Sequence, residues 1–210
     1  MRDSHALRLA PLLLVLLFLA GCAGRLTPPE APGSPVTVYL LDHGRHASLV
    51  LPRREGGMVR YSYGEWRWYV EAERHPLAGV AALLWPTESA LGRGVHEKVV
   101  SRELLPQLAP EGLVAVYPLW AEQSRVVALK RRLDGYFEAA EAPPVYSEEF
   151  DLFFVPYLRA YWWPHQSNLV VARWLRSLDV EVRGIPWLSR WRLEAPAAGP
   201  YQHGEKNDHE

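Results

Sequence analysis

Cysteine is nearly absent from this chain. The single one, Cys22, can form no disulfide within the molecule, and a metal site built on several thiolates is excluded with it. An excess of one charge is missing too. The 23 Lys and Arg face 24 Asp and Glu, a formal net charge of −1, so no global field draws the chain to nucleic acid or to acidic lipid. No internal repeat stands out, and no apolar run reaches the roughly 20 residues that a membrane-crossing helix needs. The apolar run Leu9–Leu19 follows Arg2 and Arg8 and ends in Leu19-Ala20-Gly21-Cys22. Charged, apolar and small residues in that order are the pattern of a secretory signal.

The small residues before Cys22 resemble the processing box of bacterial lipoproteins. The resemblance implies cleavage before Cys22, a diacylglyceryl group on its sulfur and an acylated new N-terminus. Three acyl chains anchor far more firmly than one. Ala23 stands where lipoproteins retained at an inner membrane often carry Asp. The expected location is therefore a bacterial envelope, lipid-anchored and facing the periplasm, at the outer membrane if the host has two. The expected organisation is a signal peptide over 1–21, the lipidated Cys22 with a Pro-rich tether over 22–35, one domain over 36–194 and a loose tail over 195–210.

What the chain does contain is an ordinary globular balance, 49% apolar and 22% charged, with nine tryptophans. Most of those should be core or cleft residues. VTVYLLD (36–42) and ASLVLP (47–52) read as the arms of an antiparallel hairpin with Gly44 in the bend. MVRYSYG (58–64), HEKVVSRE (96–103) and LVAVYPL (113–119) read as further strands, and VEVRG (180–184) as an edge strand. PLAGVAALLWP (76–86) reads as a short helix closed by Pro86. Val126, Leu129, Leu133 and Phe137 mark a helix within 121–140, and Val171, Trp174, Leu175 and Leu178 mark a last one from Ser167. Strands and helices mixed without regular alternation point to an α+β fold, an antiparallel sheet with packed helices.

Three stretches are candidates for chemistry. In Asp42-His43-Gly44-Arg45-His46, two histidines flank one bend. A metal would need further ligands at a recognisable spacing, and none is visible, so no metal and no cofactor is expected. His46 is the better general-base candidate, since imidazole titrates near neutral pH. In Tyr63-Gly64-Glu65-Trp66-Arg67-Trp68-Tyr69, the aromatics suit a cleft wall that stacks on sugars or rings, with Trp66 and Trp68 as ligand contacts and Arg67 able to rest against a ring. In HQSNLVVARWL (165–175), Ser167 stands at a helix start. There a hydroxyl either caps the helix or, in its positive end, serves as a nucleophile; the cap is the expected role.

YLLDHGRHASLVLP, YGEWRWY, ALLWPTESAL and YWWPHQSN, in this order over about 36–185, together resemble a family of bacterial envelope proteins defined as a domain of unknown function. Its members carry His-Gly-Trp-His-Thr-Gly, Trp-Gly-Asp, a Trp-Pro-Thr block and Thr-Cys-Asn before a helix. The order is similar to that of circularly permuted papain-like hydrolases. The resemblance implies that architecture, with His46 as base, Glu65 as its acidic partner and Ser167 in the cysteine's place. His43, Arg45 (which stands where the family has tryptophan) and Asn168 are further expected ligand contacts.

Ser167 where the family has cysteine is the serious departure. A thiol can rest as a thiolate beside an imidazolium, whereas a serine must be deprotonated during attack. The expected function is thus a non-catalytic, membrane-anchored binding module for a cell-wall, lipid or protein ligand. The alternatives are a serine-dependent hydrolase or acyltransferase using Ser167, His46 and Glu65, and a structural lipoprotein of an envelope complex. No nucleic-acid partner is expected.

Overall fold

The computed structural model describes residues 23–75, 79, 82–99 and 101–194. Residues 1–22, with the expected signal peptide and lipidated Cys22, and the expected tail over 195–210 lie outside them. Ten strands follow in chain order: β1 (Gly24–Thr27), β2 (Pro35–Asp42), β3 (Ala47–Pro52), β4 (Met58–Glu65), β5 (Thr87–His96), β6 (Ala115–Glu122), β7 (Val145–Ser147), β8 (Leu152–Tyr161), β9 (Glu181–Arg183) and β10 (Trp191–Leu193). The helices are α1 (Trp66–Tyr69), α2 (Gln123–Glu138) and α3 (Ser167–Ser177), with a 3-10 segment at Arg102–Leu108.

Seven strands form one antiparallel sheet in the order β6-β2-β3-β4-β5-β8-β7. The fold is α+β, with the sheet at its centre. The expected hairpin is β2–β3, and Gly44 sits in its bend at φ +87°, in the left-handed region that favours glycine. One face of the sheet, with Leu40, Leu49, Tyr61 and Tyr63, packs on the apolar stripes of α2 and α3, including Leu129, Leu133, Val171 and Trp174. This is the main core.

The opposite face is also covered, by two separate pieces. Leu105 and Leu108 of the 3-10 segment pack on Leu41, Val50 and Met58, while Tyr69 of α1 packs with Phe150 and Phe154. Every residue of β4 is therefore buried, Arg60 included. Alternating polar and apolar residues in MVRYSYG suggest one wet face, but both faces here are dry.

Two expectations are corrected, and one strand is added. The strand placed at 96–103 is absent: β5 ends at His96, and the 3-10 segment starts at Arg102. TESALGRGVH, at 87–96, forms β5 despite its glycines. Gly92 leaves room for the Phe154 ring, because a Cβ there would stand 2.6 Å from it. The expected tether over 22–35 supplies β1, the middle strand of a second sheet in the order β10-β1-β9. Leu26 holds it there, fully buried in the main core. Of the helix placed over 76–86, residues 79 and 82–84 are helical, 85 and 86 are not, and 76–78, 80 and 81 lie outside the described residues.

Candidate functional site

A cavity of about 710 Å3 opens where the β2–β3 turn, α1, the end of β8 and the start of α3 converge. His43, His46, Glu65, Trp68, Tyr69, Glu111, Phe150, Tyr161 and Ser167 are among its lining residues. The histidine turn and the start of the last helix, remote in sequence, thus share one space.

The turn is held from beneath by a buried network centred on Arg60. Its Nε–H donates to Ser48 Oγ at 2.9 Å, and its Nη atoms donate to Glu111, Leu108 O and Phe150 O. His43 Nδ1 is 2.8 Å from Gly112 O, which can only accept. That nitrogen therefore carries the proton, and Nε2 accepts from Ser48 Oγ at 2.9 Å. Burial, then the neighbouring His46 and Arg60, push the His43 pKa down to about 3.

His46 stacks on His43 with ring centroids 4.5 Å apart and meets Tyr69 edge-on at 5.7 Å. Its Nε2 is buried without a hydrogen-bond partner, 3.7 Å from Glu111 Oε1. Burial alone would raise the Glu111 carboxyl; interaction with His46 and with the Arg60 guanidinium outweighs it and holds the pKa down to about 2. Glu111 is thus a resident anion facing the imidazole. Glu65, the partner implied by the motif order, lines the cavity but accepts from Trp68 N–H at 2.7 Å and caps α1. Burial pushes its pKa upward.

Ser167 is not the helix cap. Gln166 is: its side chain accepts from Asn168 N–H at 2.8 Å, and Ser167 is the first helical residue. The Ser167 hydroxyl donates to Gln166 Oε1 at 3.4 Å and neighbours Tyr161, whose pKa burial pushes up to about 12. It makes no hydrogen bond to His46.

Asn168, expected as a ligand contact, is fully buried. Its Nδ2 donates to Arg45 O at 3.1 Å and Trp187 O at 3.4 Å, so it fastens α3 to the histidine turn instead. Trp66 packs beside the Tyr69 cluster and is not a lining residue, whereas Trp68 is. Arg45 and Arg67 are exposed at the cavity and have no ion-pair partner among the described residues. Gly64 permits the arrangement, since a Cβ there would stand 2.1 Å from the Tyr69 ring.

His43, His46 and Glu111 offer three ligand atoms within 4.8 Å of one another. Both nitrogens of His43 are already hydrogen-bonded, and Glu111 is bound to Arg60. A divalent cation would have to sit against that guanidinium, so the cluster is better suited to hydrogen bonding than to metal.

The sequence carries no signal for Arg60 or Glu111. Glu111 lies in a loop with no motif around it, and Arg60 falls on the face of β4 that alternation assigns to solvent.

His43 predicts an acid sensitivity. Its folded pKa lies below the ordinary 6.5, so the unfolded chain takes up a proton that the fold refuses. That contribution is complete above pH 6.5 and shrinks as pH falls toward 3. By pH 5 the loss should reach about 2 kcal/mol. Urea midpoints at pH 7 and 5 should show it, and His43→Gln should flatten the difference.

No known family, no curated protein and no solved structure matches this chain.

Proposed function

We propose that this chain is a lipid-anchored envelope protein with a permuted papain-like domain, and that its cleft binds an amphiphile without turning it over. The carrying observation is that Ser167 and His46 share one cavity while the Ser167 hydroxyl is engaged by Gln166 rather than by His46. An unaligned serine is a poor nucleophile, because it depends on a base within hydrogen-bond reach at the moment of attack. The cavity itself suits a ligand with two characters. Trp68, Tyr69, Phe150, Ala82 and Leu83 offer apolar walls, and Arg45 and Arg67 offer cations to an anionic head. The order of the histidine turn, the Trp-Pro-Thr block and the α3 start supports the papain-like reading, as the signal pattern ending at Cys22 supports the anchor.

One observation favours a second reading, serine-dependent hydrolysis or acyl transfer. Glu111 faces His46 as a permanent anion; such a carboxylate orients an imidazole and steadies its protonated form. In that case Glu111 takes the role first given to Glu65. Treatment of the purified protein with a fluorescent fluorophosphonate separates the two. Binding without turnover predicts no labelling, and an acyl-bearing amphiphile in the organic extract of protein purified from membranes. Labelling of the wild type that disappears in Ser167→Ala would replace it with the enzymatic reading.

A further inference from the structure

The first described residue, Ala23, is fixed against a particular surface. Its carbonyl lies where a side chain on Gly184 would stand, 2.3 Å from that position. Gly24 N–H donates to Arg190 O at 2.7 Å, and Gly24 packs against Pro186 and Trp191. The chain therefore enters the fold beside the loop over 184–188, which carries the exposed side chains Ile185, Trp187 and Leu188 and no charge.

The apolar surface continues from that loop. Trp187 meets Trp163 edge-on at 5.4 Å, and Trp163 N–H donates to Leu83 O at 3.0 Å. Beyond Leu83 come Leu84 and Trp85, 59% and 66% exposed. Three segments remote in sequence thus bring tryptophan and leucine to one face. Scattered exposed apolar residues are ordinary, but a contiguous patch calls for an occupant.

Position and chemistry name the occupant. Cys22 is one residue from Ala23, so acyl chains on it would hold this face, and no other, against the bilayer. Tryptophan favours the headgroup level, where its ring is buried and its N–H stays wet. Arg173 donates to Pro164 O next to Trp163, with Arg159 near enough to repel it. Neither has an ion-pair partner among the described residues, so both can meet anionic headgroups.

We propose that the face formed by the 184–188 loop, Trp163 and the Leu83–Trp85 segment docks on the phospholipid bilayer and sets the cavity mouth at the membrane. Leu83 belongs both to this face and to the cavity lining. The amphiphile of the cleft is then a lipid taken directly from that bilayer. The docking rests on the lipid-anchored reading above; the lipid identity rests also on the cleft reading.

The test uses residues 23–210 without the anchor, since every strand and helix described lies within this stretch. The protein is floated with vesicles of phosphatidylcholine and phosphatidylglycerol. Wild type should rise with millimolar lipid, and brominated lipid should quench its tryptophan fluorescence. Trp85→Ala with Trp163→Ala and Trp187→Ala should lower the partition by about tenfold or more, with an unchanged circular dichroism spectrum. Trp85→Ala alone, at the most exposed of these rings, serves as the variant that leaves folding untouched and should still weaken binding severalfold. Pure phosphatidylcholine should bind less than the mixture. Wild type left in the aqueous fraction, or a partition and quenching indifferent to these tryptophans, would overturn the proposal. An empty cleft would not alter flotation, because Trp85, Trp163 and Trp187 are not lining residues.

Discussion

Arg60→Leu is expected to cost the domain about 3–5 kcal/mol, the usual effect of removing one partner from a buried ion pair. In a domain of this size that corresponds to a fall in Tm of about 6–20 °C. The reason lies in what the guanidinium holds. Arg60 is 0% exposed and serves Glu111, Ser48 Oγ and the carbonyls of Leu108 and Phe150. With leucine in its place, the Glu111 carboxylate stays buried beside two histidines without its cation. Arg60→Lys should rescue little, because a point charge cannot span four acceptors in different directions. Arg60→Leu combined with Glu111→Leu should recover much of the loss, since the stranded charge goes too. Thermal denaturation of the four proteins reads this directly. An Arg60→Leu variant within about 1 kcal/mol of wild type would mean that the network does not hold the 3-10 segment and its following loop to β4.

The network also links stability to the site. Arg60 reaches Glu111 from the sheet, and Glu111 faces His46 from the loop after the 3-10 segment. Ser48, on the first strand after the turn, connects Arg60 to His43. The position of the His46 ring thus depends on a buried charge in β4 as well as on its own turn.

Local elements were legible in the sequence where local rules act alone. A Gly at a short bend between two β-branched runs, and apolar residues at helical spacing, locate β2, β3, α2 and α3. The elements that were not legible are those made by distant partners. β1 is four residues long and exists through its pairing with β9 and β10. β5 carries glycines that lower strand propensity and are present for the rings packed over them. In β8, Pro156 breaks the apolar pattern, although it sits within the ladder opposite Ala90.

The site divides in the same way. His46 and Ser167 were visible as residue types in suggestive settings, and both line the cavity. Motif order points to Glu65, whereas the carboxylate that faces the imidazole is Glu111, across a loop that no pattern marks. The cap falls one residue before Ser167: Gln166 accepts from Asn168 N–H, where a Ser167 cap would take the N–H of Leu169 or Val170, a shift within the ordinary scatter of helix ends.

The second large effect follows from placing a thiol at position 167. At a helix start that shares a cavity with an imidazole, a cysteine pKa drops below its ordinary ~8.5. A fall of about two units raises the thiolate fraction near pH 6 by about 75-fold, and the weaker nucleophile returns about eightfold of that. A net gain of about tenfold over a free cysteine remains. Residues 23–210 contain no other thiol, so the signal is unambiguous.

The direct measurement is therefore the rate of iodoacetamide alkylation of Ser167→Cys, with His46 present and with His46→Ala, as a function of pH. A cavity shared by these two groups predicts fast alkylation that persists to about pH 6 and slows severalfold when the imidazole is removed and only the helix start remains. Equal rates with and without His46 would contradict a common cleft, and the binding and enzymatic readings would fall together.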